Sequence, residues 1–208
     1  MFSRKPLDAA ADLKSLKALD AQFARNPDKF IEQAKPPSAQ DFALIGKLVQ
    51  LYCFADFCAR RIIDAVDEAA EGEKHRKAAH LKDHDVFVHL RRVAAKLKKE
   101  NHRAMANRAA DIMEMHRDNR HRLAHWAVRK TRDGKTFILL SKDARRASKE
   151  HGRIVGSRSV SYGFMTKKWL QREVKKLEDH TQNLSLMAAL LEQNQNQLGG
   201  HLREKGLR

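Results

Sequence analysis

The stretch that decides the fold is residues 38–71, which read SAQDFALIGKLVQLYCFADFCARRIIDAVDEAAE. Ser38 or Asp41 can cap the start of a helix, and apolar residues then recur at helical spacing. The apolar face carries Leu44, Leu48, Leu51, Phe54 or Ala55, Cys58 and Ile62. Because the middle of this segment is apolar almost all round, we expect it to be a central helix of a bundle.

Helical periodicity also predicts three further helices. The residues expected on their buried faces are Val86, Leu90, Val93 and Leu97 in the first, Met105, Ala109, Ile112 and Met115 in the second, and Trp169, Leu170, Val174, Leu177 and Leu184 in the third. Asp118 or Asn119 offers a break after the second, and Thr166 can cap the third. The predicted division is an N-terminal helical appendage at 1–37, a helical bundle domain at 38–198 and a flexible basic tail at 199–208, beginning at a glycine pair.

Between the second and third of these helices, the apolar period changes from helical to two. Trp126 and Val128 begin the new pattern, Asp133-Gly134 follows, and residues 136–140 are β-branched or apolar. Asp-Gly between such runs is a strong β-hairpin signal, so we predict a hairpin near 126–140. The glycine-, serine- and arginine-containing segment 154–162 is expected to be a basic loop. The predicted fold class is therefore all-α, a helical bundle carrying a β-hairpin insertion and an N-terminal helical appendage.

The chain is strongly basic. Its 208 residues include 42 Lys and Arg against 26 Asp and Glu, which gives a formal charge of +16. An excess of this size favours a polyanionic partner, although charge alone does not choose between RNA, DNA and an acidic membrane. A solvated basic surface with no nucleic-acid role is the alternative.

The cysteines and the N-terminus indicate the compartment. Cys53 and Cys58 lie five residues apart in an apolar stretch, which predicts two small core residues rather than a disulfide framework. Residues 1–6 lack the apolar run of a signal peptide, and we expect no membrane span and no membrane partner. The predicted location is the cytoplasm.

The hexapeptide Arg120-His121-Arg122-Leu123-Ala124-His125 carries the chemistry. Arginine is a permanent forked cation that matches phosphate oxygens, and histidine exchanges protons near neutral pH, so the pair can cleave RNA without a metal. His121 lies four residues before His125 and is expected to share its helix face. Arg146 and His151 repeat the spacing, so the context of the first copy distinguishes it. The alternative is a helix N-terminus whose arginine and histidine are solvated or packed.

This hexapeptide resembles the signature of the HEPN superfamily, the higher eukaryotes and prokaryotes nucleotide-binding domains. That signature has an arginine, then Asn, Asp or His, then three residues and a histidine. The resemblance implies a small α-helical bundle that dimerises into a composite cleft, and metal-independent endoribonuclease activity through attack of the RNA 2′-hydroxyl. It makes Arg120 the phosphate-binding group, His125 the acid-base group and His121 the polar second position. It also implies toxin or antiviral systems, in which an antitoxin or regulator would be a partner, and members that bind or scaffold without catalysis.

Other residues are assigned around the motif. The arginines expected to bind RNA are Arg117, Arg122, Arg129, Arg153 and Arg158. Asp56 is a candidate carboxylate to orient His121 or Arg120. The alternative is that it is a structural partner of an arginine such as Arg60. Trp126 is a candidate to stack a base, or else a core residue.

A metal site is the competing interpretation of the histidines. His80 and His84, like His121 and His125, have the four-residue spacing of half a zinc site, but neither pair has a third ligand at recognisable spacing. We therefore predict no metal and no cofactor. The leading hypothesis is a homodimeric HEPN-like endoribonuclease; the alternatives are a non-catalytic RNA-binding or scaffolding protein of the same fold, and a regulatory bundle that meets DNA or membrane.

Overall fold

A computed structural model describes residues 10–71, 78–97, 99–142 and 161–204 of the chain. These residues are mostly helical and include a small antiparallel sheet, so the predicted helical character is confirmed. The helices are α1 (Ala10–Arg25), α2 (Pro27–Glu32), α3 (Ala39–Glu71), α4 (Asp83–Ala94), α5 (Glu100–His125) and α6 (Lys167–Glu204), with a 3-10 turn at Ala78–His80. The strands are β1 (Ala127–Lys130), β2 (Thr136–Ser141) and β3 (Ser161–Thr166).

Two predicted helix starts are confirmed by their caps. At the start of α3, the Ser38 hydroxyl accepts from the Asp41 amide, while the Ser38 amide donates to the Asp41 carboxylate at 2.9 Å. This reciprocal pair satisfies amide groups that an uncapped first turn leaves open. At the start of α6, the Thr166 hydroxyl accepts from the amide of Trp169 at 3.1 Å. Local side-chain chemistry thus fixes where both long helices begin.

The described residues group into two compact units. Unit 1 comprises the described residues within 1–48 and 121–174, and unit 2 comprises those within 49–120 and 175–208. The predicted N-terminal appendage therefore contributes α1 and α2 to a unit that also contains the sheet.

The sheet of unit 1 has three strands in the order β1-β2-β3, all antiparallel. The predicted hairpin is present as β1 and β2, and Gly134 takes a positive φ of 72° in the turn that joins them. The prediction of only two strands was wrong, because residues 161–166 pair along the whole of β2. Residues 161 and 162 of the predicted basic loop thus belong to β3, and the rest of that loop lies outside the described residues.

An aromatic cluster packs the N-terminal helices on β3. Phe23 of α1 stacks on Tyr162 with ring centroids 4.1 Å apart, and it meets Phe164 edge-on at 6.1 Å. Phe30 of α2 also meets Phe164 edge-on, at 5.9 Å. Phe23 is 2% exposed, so it is the centre of this contact. Burial of aromatic surface is what makes α1 and α2 part of unit 1.

Asp41 is the buried charge of unit 1. Its side chain is fully buried and accepts hydrogen bonds from Lys130 at 2.7 Å and from Lys167 at 2.8 Å. Burial by itself would raise the pKa of the Asp41 carboxyl, but the hydrogen bonds from Lys130, Lys167 and Ser38 outweigh it and hold that pKa well below its usual range. One carboxylate therefore ties the start of α3 to β1 and to the start of α6.

Replacing Asp41 with asparagine is expected to lower the free energy of unfolding by about 3 kcal/mol at pH 7, because two ammonium groups lose their buried anion. The folded pKa is the lower one, so this contribution is complete above the unfolded pKa of about 4 and is lost as the pH falls below it. Urea unfolding at pH 7 and pH 3 measures the difference in the free energy of unfolding between the wild type and Asp41→Asn, which is expected to be smaller at pH 3. Asp28→Asn, at an exposed position, is the control. Equal stability of Asp41→Asn and the wild type at pH 7 would contradict it.

Hydrogen bonds and ion pairs join the helices of unit 2 around an apolar core. Thr181 of α6 donates to the carbonyl of Leu51 in α3 at 3.4 Å. Arg91 of α4 bonds Asp111 and Glu114 of α5 at 2.6 and 2.8 Å. The core of this unit includes the fully or almost fully buried Tyr52, Ile62, Phe87, Leu90, Met113, Leu177 and Leu184. Unit 2 is thus a set of packed helical segments.

Two features of the long helices differ from expectation. The end of α6 was predicted before Gly199-Gly200, but the helix continues to Glu204, since glycine weakens a helix by only about 1 kcal/mol per residue without forbidding it. Residues 205–208 of the predicted tail lie outside the described residues. Within the described residues, α3 over Ala39–Glu68 is long and apolar enough to cross a membrane, with a mean hydropathy of 1.5 in its most apolar window. A core helix passes the same test, so the location stays a prediction.

Candidate functional site

The hexapeptide 120–125 forms the last turns of α5. The predicted break at Asp118 or Asn119 is wrong, because α5 continues without interruption from Glu100 to His125. The motif therefore occupies a helix C-terminus and not a fresh N-terminus. Arg120 is the last residue of this part of unit 2, whereas residues 121–125, with both histidines, belong to unit 1.

The two histidines of the motif lie side by side. The ring centroids of His121 and His125 are 4.7 Å apart, with an interplanar angle of 52°. This contact confirms that they share a helix face, as their four-residue spacing predicts. His125 is exposed and His121 is half-buried, so a ligand in solvent can reach the pair.

Arg120 points to a different side of α5. Residues five apart in a helix are offset by about 140°, and Arg120 shares its side with the buried Met113 and His116. Its side chain is 24% exposed. One terminal nitrogen lies 3.8 Å from Asp83, and the other lies 3.8 Å from the Cys53 sulfur. The arginine is thus partly desolvated and held by α3 and the start of α4.

Asp56 pairs with Arg60 through a hydrogen bond of 2.8 Å between the arginine Nε and one carboxylate oxygen. The structural alternative for Asp56 is therefore confirmed. Arg60 also donates to the backbone carbonyls of Ala78 and Leu81, which anchors the 3-10 turn to α3. A role for Asp56 in orienting Arg120 or His121 stays a prediction.

Three of the arginines expected to bind RNA lie on α5 and β1. Arg117 is half-buried on α5, and Arg129 is exposed on β1. Arg122 lies with its guanidinium carbon 5.3 Å from the centre of the Trp126 ring. Arg153 and Arg158, like the second Arg-His spacing at Arg146 and His151, lie outside the described residues. Three of the five predicted arginines are thus placed: Arg117 shortly before the motif, Arg122 within it and Arg129 shortly after it.

Trp126 is a core residue. Its side chain is 7% exposed, which leaves too little ring surface to stack a nucleobase. The structural alternative for this residue is confirmed, and the guanidinium group of the half-buried Arg122 lies on the face of its ring.

The metal interpretation has no support among the described residues, in which no group of three or more potential ligands converges. His80 and His84 are both exposed, and the Nε2 of His84 lies 3.1 Å from the carboxylate of Asp85. Since Asp85 follows His84 directly on one helix turn, this pair is a local contact.

Tyr52, Cys53 and Asp83 are contacts of Arg120 that sequence reasoning missed. Tyr52 and Cys53 fit the apolar pattern of α3 as ordinary core residues, and Asp83 is one of many acidic residues at helix starts. No spacing signal links them to Arg120, which lies far along the chain. Comparison with protein-family models, curated proteins and solved structures finds no match to this chain.

Proposed function

We propose that the protein is a metal-independent endoribonuclease whose acid-base group is His125. The observation that carries this proposal is the contact of the half-buried His121 with the exposed His125 at the end of α5, in a helix whose sequence also contains Arg117, Arg120 and Arg122. Two imidazoles in contact supply one group that can accept a proton and one that can donate it.

In the proposed reaction, His125 takes the proton of an RNA 2′-hydroxyl while that oxygen attacks the adjacent phosphorus. The bond between the phosphorus and the 5′-oxygen breaks. The leaving 5′-oxygen receives a proton from the protonated imidazole of His121, the other member of the pair. The products are a 2′,3′-cyclic phosphate and a 5′-hydroxyl. Arg120 holds the non-bridging oxygens, whose charge grows in the transition state. DNA lacks the attacking hydroxyl and is expected to be spared.

Because the motif lies at a helix C-terminus, its arginines are needed to attract the phosphate. The carbonyl end of a helix carries a partial negative charge, which repels a phosphate. The offset of about 140° between Arg120 and His125 also separates their side chains around α5. We therefore propose that the protein acts as a homodimer, in which His125 of one chain and Arg120 of the other act on one phosphate. A toxin or antiviral role, with an antitoxin or regulator as partner, is part of this proposal.

A non-catalytic RNA-binding or scaffolding protein is the second candidate. The observation that favours it is the burial of Arg120, which is only 24% exposed and directs its terminal nitrogens at Asp83 and Cys53. An arginine held in this way is a structural element as well as a potential phosphate ligand. Binding would then depend on exposed residues such as Arg129.

Cleavage in the presence of EDTA separates the two candidates. A single-stranded RNA and a DNA of the same sequence are incubated with the purified protein and a large excess of EDTA. We expect fragments from the RNA and none from the DNA. RNA that is bound but stays intact in EDTA would support the scaffolding protein instead.

A further inference from the structure

Three side chains of unit 2 surround the guanidinium group of Arg120, and we call them the Arg120 cradle: Tyr52, Cys53 and Asp83. The guanidinium carbon lies 5.7 Å from the centre of the Tyr52 ring. Its terminal nitrogens lie 3.8 Å from the Cys53 sulfur and 3.8 Å from the Asp83 carboxylate. The aromatic ring, the thiol and the carboxylate thus define where this cation can lie.

Tyr52 is the rigid member of the cradle. It is 2% exposed, so the apolar core of unit 2 encloses its ring, and the ring of Phe87 is one apolar neighbour with a centroid distance of 5.9 Å. The Asp83 side chain is 64% exposed, and an exposed ion pair at such a distance contributes little. The thiol of Cys53 is only a weak acceptor. The ring of Tyr52 is therefore the contact that fixes Arg120.

The hydroxyl of Tyr52 takes no part in this contact. Within the described residues, this buried hydroxyl has no hydrogen-bond partner. Burial, with a further effect from the negative Asp56, raises the pKa of Tyr52 despite the positive Arg117 and Arg120 nearby. Tyr52 therefore stays neutral at physiological pH and meets Arg120 with its ring face as an aromatic group, not as a phenolate.

We propose that Tyr52 is a positioning residue for Arg120, which holds the guanidinium group in the orientation that receives a phosphate. This proposal rests on the proposed function, because it takes Arg120 to be the phosphate-binding group. Tyr52 does not touch the substrate. Its ring restricts Arg120 to fewer rotamers before the phosphate binds, so the arginine loses less conformational entropy on binding. Removal of the ring is therefore expected to weaken phosphate binding.

The test compares three variants of the full chain. Tyr52→Leu removes the ring, Tyr52→Phe keeps it without the hydroxyl, and Phe87→Leu removes the neighbouring buried ring, for which no contact with Arg120 is seen among the described residues. The Nε–H resonance of Arg120 is assigned by its loss in Arg120→Lys and is followed while inorganic phosphate is added. Cleavage of RNA in EDTA is measured in parallel as kcat/KM.

We expect phosphate to shift the Arg120 resonance of the wild type, of Tyr52→Phe and of Phe87→Leu with similar midpoints. In Tyr52→Leu, the phosphate concentration at the midpoint is expected to rise about tenfold, and kcat/KM is expected to fall about tenfold. A Tyr52→Leu variant that behaves like Phe87→Leu would overturn the positioning role, even if the wild type cleaves RNA. A wild-type resonance that phosphate leaves unmoved would also overturn it. Absence of RNA cleavage by the wild type would overturn the proposed endoribonuclease, while the phosphate titration still decides the role of Tyr52.

Discussion

Replacing His125 with alanine is expected to lower the rate of RNA cleavage about a thousandfold. The physical reason is that alanine cannot accept the 2′-hydroxyl proton, and His121 alone leaves the reaction with a single imidazole. The side chain of His125 is exposed at the end of α5, so its loss should cost little stability. Initial rates with a labelled RNA in EDTA measure the effect.

The control for this variant is His84→Ala, which removes another exposed histidine from outside the motif. We expect His84→Ala to cleave RNA at the rate of the wild type and His125→Ala to bind RNA with unchanged affinity. Cleavage by His125→Ala at the rate of the wild type would exclude His125 as the acid-base group.

Replacing Arg120 with alanine is expected to lower the cleavage rate by roughly two to three orders of magnitude, because a charged group that stabilises the transition state is lost. If the site is composite, Arg120→Ala and His125→Ala chains should complement each other. A mixed dimer contains one chain with an intact His125 and one with an intact Arg120. After co-refolding of the two variants, the rate is expected to rise more than about tenfold above either variant alone.

Complementation also tests the dimer. A mixture with only the summed rates of its two components would contradict a site shared between two chains, provided that light scattering shows dimers. The double variant Arg120→Ala/His125→Ala, mixed with wild type under the same conditions, is the control for the effect of subunit exchange itself.

The long helices and the hairpin could be predicted because their signals are local. Ser38 and Asp41 form the reciprocal cap of α3, and Thr166 caps α6. Asp133 and Gly134 lie in the turn between β1 and β2, where glycine takes the positive φ that other residues avoid. In each case, a few neighbouring residues contain the whole physical cause.

The third strand and the course of α5 could not be predicted in this way. Strand β3 is short and contains Gly163, and it forms only because β2 and the aromatic ring of Phe23 lie beside it. In α5, the capping signal of Asp118 and Asn119 is overridden, since both residues can also lie within a helix. In both cases, the neighbouring residues alone do not decide the outcome.

The buried face of α5 was shifted from the predicted one. Ala109 is buried as expected, but Met115 is 38% exposed, and Met113 and the polar His116 are buried in its place. Alanines fit on either side of a helix and methionines adapt to many environments, so the apolar pattern of this segment fixes the face poorly.

Only the part of the candidate site that depends on local helix geometry could be predicted from the sequence. The contact of His121 with His125 follows from helix geometry and is confirmed. The contact of Arg120 with Tyr52 joins two helices far apart in sequence, and neither residue carries a signal of the other. The role of Trp126 was settled by burial, which depends on the whole of unit 1.

The most direct test of metal-independent cleavage by 2′-hydroxyl attack is the mass of the 5′ fragment that wild-type protein releases from RNA in EDTA. We predict a 2′,3′-cyclic phosphate at its new end and no cleavage where a single 2′-deoxynucleotide replaces the attacking residue. A fragment that ends in a 3′-hydroxyl, or cleavage that continues at the deoxy position, would contradict the proposed reaction.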